Sequence, residues 1–441
     1  MTIDEAASRH RVAIIGGGPS GFYAAEALLR SGQPVDVDMF ERLPVPYGLV
    51  RFGVAPDHPK LKQVTRVFDR IAEMPGFRFF GGVELGGALT IDALRACYHA
   101  VVLATGAAVD RRLDVPGETL QGCHTAGDFV GWYNGHPDFR HLQFDLGVER
   151  AVVIGHGNVA LDIARILAKT ADELRQTDIA AHALDVLAES RIREIHVIGR
   201  RGPHRTRFAA KELSEFADLS DCEPVVDAGD LAAVSFPAAD DDDAASLALL
   251  REFAARPVTR RRRCVFAFDL SPQEIEGTGR VERIWLDHHP EHPAGGAPRR
   301  VALACGLVIT SIGRRAAPIG GIPYDDRHGV HANVVGRIIA EGAAVPGLYV
   351  CGWGKRGPQG TIGTNRACSV ETIAHLLSDL PQLAVPPRHP DSLLGGVAIP
   401  RHVDYRGWGR IDAAEVVRGR PSGKPREKLV AVDEMFAAAA G

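Results

Sequence analysis

The chain has 441 residues, of which 45% are hydrophobic and 24% are charged, and its formal net charge is −4. These values describe a globular protein long enough to bury about two or three cores. The small net charge provides no overall field for nucleic acid or for an anionic membrane surface, so we expect neither as a partner. The seven cysteines form no CxxC or CxxxxC pair, which argues against a redox-active disulfide, a metal site or an iron–sulfur cluster within the chain.

The N-terminal residues do not resemble a targeting segment. The first ten residues contain acidic side chains and lack the basic region and apolar run of a secretory signal. No later apolar stretch approaches the length of about 18 residues that a membrane helix needs. We therefore expect a cytoplasmic protein without membrane insertion.

The first glycine-rich turn lies between an apolar predicted strand and a predicted helix. Its sequence is Gly16-Gly17-Gly18-Pro19-Ser20-Gly21. The glycines Gly16, Gly18 and Gly21 permit a tight turn, close approach of the backbone to a pyrophosphate, and close packing of the helix. The next strand ends at Glu41, where a carboxylate can accept hydrogen bonds from the two hydroxyls of an unsubstituted adenosine ribose. The turn therefore predicts an FAD site.

The second glycine-rich turn begins 139 positions after the first and also joins a strand to a helix. Its sequence is Gly155-His156-Gly157-Asn158-Val159-Ala160. The predicted strand over 194–198 is followed by Arg200 and Arg201. Because a guanidinium pair suits a ribose that carries a 2′-phosphate, this turn predicts NADP. The distance from Gly155 to Arg200 exceeds the usual spacing of about 20 residues, so we expect an insert over 170–190.

A chain that holds both nucleotides is most simply a device that moves electrons between them. Strand and helix patterns alternate over 11–108 and again over 150–313, which predicts an α/β fold with two Rossmann-like dinucleotide-binding domains. A strand over 347–351 that ends in Gly352 suits the far edge of the first sheet, so we expect the NADP domain to be inserted into the FAD domain. The predicted bounds are 1–108 and 320–441 for the discontinuous FAD domain and 109–319 for the NADP domain.

Two polar stretches are expected at the surface. The stretch over 231–246 contains four consecutive aspartates and predicts a solvated loop. Beyond Leu380, frequent prolines and charges predict an extended, mostly exposed tail.

Seven sequence blocks carry a resemblance to a known family. They are GGGPSG (16–21), VPYGLVRFGVAPDHP (45–59), FVGWYNG (129–135), GNVALDIAR (157–165), GRRGP (199–203), GWGKRGP (352–358) and SGKPREKL (422–429). They closely resemble the adrenodoxin-reductase-type NADPH–ferredoxin reductases, the bacterial ferredoxin–NADP reductases of the glutathione-reductase-like class. The resemblance spans essentially the whole chain.

The resemblance implies the cofactors FAD and NADP(H) and, together with the two turns, the residues that contact them. The implied FAD contacts are Gly16, Gly18, Ser20, Gly21, Glu41, Leu49, Val83, Trp353, Gly360, Thr361 and Ile362. The implied NADP contacts are Gly155, His156, Gly157, Asn158, Val159, Arg200, Arg201, Glu212 and again Gly360. The family usually has an amide or another polar residue in place of His156, a departure that leaves the turn itself intact.

His58, Asp162 and Glu215 are the candidate catalytic residues. The resemblance places His58 beside the isoalloxazine, with Asp162 as a candidate partner. Glu212 and Glu215 are spaced i,i+3 and share a helix face, although a solvated acid remains the alternative for Glu215. In the expected reaction, hydride passes from nicotinamide C4 to flavin N5 and then leaves as two single electrons. The three side chains could tune the nicotinamide approach or the charge on reduced flavin.

The chain encodes no one-electron acceptor, so we expect ferredoxin, an acidic iron–sulfur protein, as the partner. A basic docking face is predicted from Arg205, Arg207, Lys211, Lys355 and Arg356. Ordinary solvated surface is the alternative for each of these cations.

Two other functions stay open. One is a glutamate-synthase-small-subunit-like flavoprotein, although that family carries an N-terminal cysteine cluster and this chain has no cysteine before Cys97. The other is a non-catalytic NADP-binding sensor, which would need no flavin.

Overall fold

The computed structural model describes residues 9–87, 89–232, 241–289, 299–394, 399 and 401–441. The strands, in chain order, are β1 (His10–Ile15), β2 (Val35–Glu41), β3 (Phe77–Gly81), β4 (Ala100–Leu103), β5 (Val109–Asp110), β6 (Cys123–Thr125), β7 (Arg150–Ile154), β8 (Glu194–Ile198), β9 (Cys222–Val226), β10 (Arg262–Ala267), β11 (Leu270–Glu276), β12 (Arg283–His288), β13 (Arg299–Ala304), β14 (Leu307–Thr310), β15 (Arg314–Arg315), β16 (Tyr324–Asp325), β17 (Val330–His331), β18 (Asn333–Val334), β19 (Arg337–Ala340) and β20 (Ala343–Val350).

The α-helices of the described residues are Pro19–Leu29, Leu49–Phe52, Pro59–Lys62, Thr65–Ala72, Ile91–Arg95, Ala126–Tyr133, Asn158–Ala168, Ala171–Arg175, Ala181–Ala188, Ala210–Ser214, Ala228–Ala232, Asp241–Ala255, Trp353–Arg356, Ile362–Asp379, Asp391–Leu394, Tyr405–Gly419 and Val432–Ala440. Short 3₁₀ helices lie at Pro203–Arg205, Glu215–Asp218, Leu380–Gln382 and Arg420–Ser422.

The first sheet has the strand order β18–β19–β20–β4–β1–β2–β3. Strands β20, β4, β1, β2 and β3 are parallel, and β18, β19 and β20 form an antiparallel edge. Strand β4 is buried along its whole length, as expected for a parallel sheet covered by helices on both faces. Because β20 pairs with β4, residues from both ends of the chain build this sheet. We call the part of the protein around it the first lobe.

The second sheet has the strand order β6–β14–β7–β8–β10–β9, and its strands are parallel. The part around it is called the second lobe. The expected insert over 170–190 is present and contains the helices Ala171–Arg175 and Ala181–Ala188. Strands β5 and β15 pair with each other, so the chain leaves the first lobe and returns to it at adjacent points. The predicted α/β class with two Rossmann-like units is confirmed, while the domain bounds stay a prediction.

A small antiparallel sheet, β11–β12–β13, covers one face of the second sheet. Its side chains Ile275, Ile284 and Leu286 pack with Val152 and Ile198 in one buried cluster. Among the described helices, none combines the length and the apolar character that a membrane crossing requires.

The prediction of an extended, exposed tail beyond Leu380 is wrong. The helices Tyr405–Gly419 and Val432–Ala440 lie in this region and pack against each other. Trp408 and Met435 belong to the core of the first lobe, and burying such large apolar side chains stabilises the packed state. The charges that suggested exposure pair with one another instead of with water.

The predicted solvated loop over 231–246 is also wrong for its described part. Residues 241–246 form the beginning of the helix Asp241–Ala255, where acidic side chains in the first turn interact favourably with the helix dipole. Residues 233–240, which include Asp240, lie outside the described residues.

Candidate active site

In the first glycine-rich turn, two glycines have no room for a side chain and a third borders open space. A Cβ on Gly16 (φ +114°) would lie 2.5 Å from the Ala104 carbonyl oxygen, and one on Gly21 would lie 2.1 Å from the Gly16 carbonyl oxygen. A Cβ on Gly18 would meet only the Gly48 Cα, at 4.0 Å. Gly18 therefore borders a space that the protein leaves open at the N-terminus of the helix Pro19–Leu29.

Glu41 lies directly beside this turn at the end of β2. Its carboxylate accepts hydrogen bonds from the backbone N–H of Gly17 at 2.8 Å and of Leu43 at 3.1 Å. Burial raises the pKa of Glu41, and the backbone donors partly offset that rise. Val83 lies next to Glu41, because its N–H donates to the Glu41 carbonyl at 2.9 Å. The remaining lone pairs of the carboxylate can accept the hydroxyls of a ribose.

The C-terminal part of the chain completes the surroundings of the first turn. A Cβ on Gly352 (φ +68°) would lie 2.0 Å from Ser20 Oγ, and the Ser369 hydroxyl donates to the Ser20 carbonyl at 2.9 Å. Trp353 begins the next short helix, and its buried indole Nε1 has no hydrogen-bond partner within the described residues. Thr361 caps the helix Ile362–Asp379.

Gly360, Thr361 and Ile362 therefore lie at the N-terminal end of that helix, which packs on the helix Pro19–Leu29. Leu49 begins the short helix after Gly48. The structure thus brings the predicted FAD contacts together around one turn. Helix N-termini, an open glycine and an adjacent carboxylate are the donor set that a dinucleotide requires, so these residues fit FAD.

The second glycine-rich turn has the same strand–turn–helix geometry but is more exposed to solvent. A Cβ on Gly155 (φ +140°) would lie 2.2 Å from the Ser311 carbonyl oxygen, whereas one on Gly157 would meet nothing within 4 Å. The third glycine position holds Ala160, which is fully buried. Val159 is 47% exposed at the N-terminus of the helix Asn158–Ala168. The backbone N–H groups of this helix end can therefore meet a pyrophosphate from solvent.

His156 faces the interior. Its imidazole packs against Phe208 and Phe268, with ring centroids 5.8 and 5.0 Å away, and its Nε2 lies 3.3 Å from the Val197 carbonyl oxygen. Burial lowers the pKa of His156 to about 4. The side chain is therefore neutral, so a nucleotide contact at this position would come from the backbone.

Arg200 and Arg201 lie at the carboxyl edge of the second sheet, directly after β8. Strand β8 is the neighbour of β7, and the Gly155 N–H donates to the Ile198 carbonyl at 2.8 Å. The arginine pair is therefore adjacent to the turn in space despite the long insert. Arg200 is exposed and Arg201 is partly buried. Guanidinium groups at this position suit the 2′-phosphate of NADP.

The segment after the arginines returns to the turn. The Arg207 N–H donates to the His156 carbonyl at 2.8 Å, and the Ala209 N–H donates to Asn158 Oδ1 at 2.8 Å. Arg205, Arg207 and Lys211 are exposed along it. This part of the predicted docking face is thus available at the surface beside the second turn.

The other two cations of the predicted docking face are held by neighbouring side chains. Lys355 is 10% exposed in its side chain, and its Nζ donates to Glu371 Oε2 at 2.5 Å and to Thr372 Oγ1 at 3.1 Å. Arg356 Nη2 donates to Asn365 Oδ1 at 2.8 Å. The structure therefore does not present these two side chains as free surface charges.

His58 meets three carboxylates where the two lobes face each other. Its Nε2 lies 2.9 Å from Glu215 Oε2 and 3.5 Å from Glu212 Oε2. Its Nδ1 is 3.9 Å from Asp162 Oδ1. The predicted partner Asp162 thus lies at ion-pair distance from His58, while Glu215 makes the hydrogen bond. Glu215 is also not a solvated acid, since its carboxylate is engaged by His58.

Asp162 is instead bonded to Arg165, whose Nη2 donates to its Oδ1 at 2.7 Å. Arg165 is 1% exposed and also donates to both carboxylate oxygens of Asp57, at 2.7 and 3.0 Å. These bonds join Asp57 of the first lobe to a helix of the second lobe. The sequence reasoning missed Asp57 and Arg165, although both lie in the resembling blocks and Asp162 and Arg165 have the i,i+3 spacing of a helix ion pair.

The surrounding carboxylates favour the protonated form of His58. Burial alone would lower the pKa of His58, but the hydrogen bond to Glu215 and the nearby Asp162 and Asp57 carboxylates outweigh it, so the pKa is raised. Burial opposes ionisation of Glu215, but the bond to His58 outweighs it and lowers the pKa of Glu215. Burial raises the pKa of Asp162 to about 6. These opposite shifts favour an ion pair in which His58 Nε2 donates a hydrogen bond to Glu215 Oε2.

The ligand atoms of His58, Glu212 and Glu215 lie within 4.8 Å of one another, a spacing that a metal ion could bridge. Arg165 Nη1, however, lies 3.3 Å from Glu215 Oε2 and already supplies positive charge to that carboxylate. The seven cysteines are free thiols.

Comparison with known proteins identifies the class. Residues 10–217 match the family described as pyridine nucleotide-disulphide oxidoreductase. NADPH-ferredoxin reductase FprA of Mycobacterium tuberculosis is 42% identical over 456 residues, covering 96% of this chain and 98% of that protein. The mitochondrial NADPH:adrenodoxin oxidoreductase of Arabidopsis thaliana is 40% identical, covering 97% of this chain and 95% of that protein. The solved structure of M. tuberculosis FprA in complex with NADPH has a TM-score of 0.93 and 41% identity, covering 98% of this chain and 100% of that one.

The fold and the two turns thus define a flavin- and pyridine-nucleotide-dependent oxidoreductase. Within that class, the chain belongs to the adrenodoxin-reductase-type NADPH–ferredoxin reductases. The resemblance drawn from the sequence blocks is confirmed. The relatives' names favour a reductase over the glutamate-synthase-like flavoprotein and the NADP sensor.

Proposed function

We infer that this chain is an FAD-dependent reductase that transfers electrons between NADPH and a ferredoxin-type iron–sulfur protein. The observation that carries the inference is the pair of turns with different recognition groups, Glu41 beside the first and Arg200 and Arg201 beside the second. A protein that binds only one nucleotide would not need both recognition groups. Membership of the reductase family supports the same reaction.

When bound, FAD accepts a hydride from the nicotinamide and releases its two electrons singly. The chain's own residues bind and orient the two nucleotides. Gly18 and Gly157 leave room for the two pyrophosphates at helix N-termini. Glu41 accepts ribose hydroxyls of FAD, and Arg200 with Arg201 binds the 2′-phosphate of NADPH.

For the remaining predicted contacts we propose roles in the same two sites. Around FAD these are Gly16, Ser20, Gly21, Leu49, Val83, Trp353, Gly360, Thr361 and Ile362, and around NADPH they are Gly155, Asn158, Val159, Glu212 and the His156 backbone. We also propose the domain bounds 1–108 with 320–441 for FAD and 109–319 for NADP.

His58, Glu215 and Asp162 are proposed to control charge near the reacting rings. His58 holds a proton at Nε2 that it donates in a hydrogen bond to Glu215 Oε2, 2.9 Å away. Asp162 contributes indirectly, because it fixes Arg165 and with it Asp57, the neighbour of His58. A positive charge held at this position stabilises negative charge on a reduced cofactor.

The partner is proposed to be an acidic ferredoxin that docks on the exposed cations Arg205, Arg207 and Lys211. Reversing all three to glutamate should weaken ferredoxin reduction and flatten its salt dependence, with NADPH-dependent ferricyanide reduction retained. The same reversal of the exposed Arg191, Arg193 and Arg261 serves as the matched control. Equal salt dependence in the docking variant and the wild type would rule this face out.

The test of the function is a panel of two-, three- and four-iron ferredoxins mixed with the purified holoenzyme and NADPH. Reduction of at least one ferredoxin, faster with NADPH than with NADH, is the expected result. A yellow protein that NADPH bleaches but that reduces none of them would contradict the ferredoxin assignment. The seven free thiols are consistent with a reducing compartment, and we propose the cytoplasm.

A further inference from the structure

A lysine near the C-terminus is buried between the two lobes. Lys428 is 1% exposed. Its ammonium donates to Asn134 Oδ1 at 3.2 Å and lies 3.3 Å from Asp178 Oδ2. Asn134 and Asp178 both belong to the second lobe, whereas the chain around Lys428 packs on the first. A buried ammonium that contacts two polar groups of the opposite lobe is a specific link between the lobes.

The segment that carries Lys428 is itself fixed to the first lobe. The Leu429 N–H donates to Glu415 Oε1 and the Glu427 N–H donates to the Glu415 carbonyl, both at 2.9 Å. Glu415 is fully buried and also accepts two hydrogen bonds from Arg51, at 3.0 and 2.5 Å. The position of Lys428 is therefore set by a rigid part of the first lobe.

The two partners of Lys428 hold both ends of the loop that carries His58. Asn134 Nδ2 donates to the Val54 carbonyl at 3.2 Å. Lys62 Nζ donates to both carboxylate oxygens of Asp178, at 2.6 and 2.8 Å. These bonds flank His58 at positions 54 and 62, and Lys428 contacts the donor residue Asn134 of the first link and the acceptor residue Asp178 of the second.

Stability alone does not account for an ammonium at this position. Lys62 already neutralises Asp178, so Lys428 is a second cation on one carboxylate. Burial lowers the pKa of Lys428 to about 7, with Asp178 opposing the shift and Lys62 adding to it. Neutralising Asp178 therefore does not by itself require Lys428.

We propose that Lys428 is a positioning residue for hydride transfer, acting through Asn134 and Asp178 on the loop that carries His58. The inference rests on the proposed function, since it concerns the distance between the nicotinamide and the flavin. In this role, Lys428 makes no contact with either cofactor. It aligns the loop that carries His58 with the second lobe, which contains the proposed NADPH site.

The test compares three variant holoenzymes with the wild type by stopped flow. Lys428→Met removes the ammonium and leaves Asp178 paired with Lys62. Asn134→Asp keeps the acceptor for Lys428 but removes the donor to Val54. Lys60→Met makes the same chemical change as the first variant on an exposed lysine of the His58 loop region and is the control.

We expect the limiting rate of flavin reduction by NADPH to fall about tenfold in Lys428→Met and Asn134→Asp, which corresponds to about 1.4 kcal/mol. The NADPH Kd, the FAD content and the reoxidation of reduced flavin by ferricyanide should stay within about twofold, because these do not depend on nicotinamide alignment. Lys60→Met should match the wild type. If Lys428→Met does not fold, the rate of flavin reduction in Asn134→Asp alone tests the proposal.

Unchanged flavin reduction in the folded variants would overturn the proposal. So would an equal fall in reduction and ferricyanide reoxidation, which would indicate a purely structural role. Failure of the proposed function gives a different result, because the wild-type flavin would then not be reduced by NADPH at all.

Discussion

The two glycine-rich turns have the same backbone plan but differ in how much protein surrounds them. Around the first, later parts of the chain lie against the turn, namely Gly48, Gly352 and Trp353, whose indole Nε1 is buried. Around the second, Val159 is 47% exposed and Gly157 borders open space. Enclosure, more than the glycine motif, thus distinguishes a site for a tightly held cofactor from one for a coenzyme that exchanges in every cycle.

The charge beside each turn is the second difference. Glu41 is fixed by backbone donors and has no freedom to move away from a ribose. Arg200 is exposed and can follow an incoming phosphate. Under the proposed function, one supersecondary unit, used twice, would gain two nucleotide specificities from one position at a strand end.

Replacing both Arg200 and Arg201 by alanine should have the largest effect, a loss of the preference for NADPH over NADH. Each lost bond to the 2′-phosphate costs about 1–3 kcal/mol, so we expect the preference for NADPH over NADH in kcat/KM to fall by about 100-fold or more. The rate with NADH should change little, because NADH lacks that phosphate. Arg261→Ala is the matched control, and an unchanged preference in the double variant would contradict the assignment.

Gly18→Ala and Gly157→Ala should each weaken the binding of a different nucleotide. Neither added methyl group meets protein closer than 4.0 Å, and both glycines have negative φ that alanine adopts freely. The methyl groups should instead occupy the space of a pyrophosphate, so we expect Gly18→Ala to be purified with reduced FAD content. Gly157→Ala should keep its FAD but bind NADPH about tenfold more weakly, or about 1.4 kcal/mol.

FAD content by absorbance and NADPH Kd by titration check both outcomes. If each variant retained normal affinity for its own nucleotide, the two turns would not be the pyrophosphate sites. A loss of both nucleotides in both variants would show that the lobes are not independent.

His58→Ala should slow flavin reduction without releasing FAD. The imidazole contacts Glu215 and not the enclosure of the first turn, so the effect should fall on the reaction and not on cofactor binding. We expect a loss of about tenfold in the stopped-flow rate with NADPH, which is below the range of about 100-fold to 10,000-fold for a general acid or base, because the imidazole would act through its charge. Glu215→Gln should show a smaller loss in the same direction. An unchanged rate would remove His58 from the mechanism.

The smallest expected effect is a change with pH in the contribution of Lys428 to the free energy of unfolding. The pKa of Lys428 is lowered to about 7, in surroundings that include Asp178, Lys62, Arg51 and Glu415. Above pH 7 the unfolded chain therefore binds more protons at this site than the folded chain, and stability rises with pH. The free energy of unfolding of the wild type relative to Lys428→Met should rise by about 1 kcal/mol between pH 7 and pH 8.

Urea unfolding at the two pH values measures this difference, with Lys60→Met as the control that should show no pH-dependent change relative to the wild type. A difference that stays constant or falls with rising pH would mean that Lys428 keeps its proton when the protein is folded.

The sequence predicted the parts of the molecule that local patterns determine. The glycine spacing and the residues after each strand located both turns, because β–turn–helix geometry is set within about 20 residues. The partner of His58 could not be found in this way. Glu215 and Asp162 are both distant in sequence, and only the packing of the lobes decides which carboxylate lies 2.9 Å from the imidazole.

The tail was mispredicted for a related reason. A charged segment such as 424–429 favours solvent unless its charges find partners, and the partners of Lys428, Asp178 and Asn134, lie far away in the chain. The interior position of His156 likewise depends on Phe208 and Phe268, which no local pattern connects to the turn.

An anaerobic titration of the purified protein with NADPH tests the central claim most directly. If the two turns hold FAD and NADPH with their reacting rings in contact, the yellow colour should bleach at one equivalent of NADPH per bound flavin and return when an oxidised ferredoxin is added. A protein that contains FAD but keeps its colour in excess NADPH would contradict the account, because the two sites would then not meet.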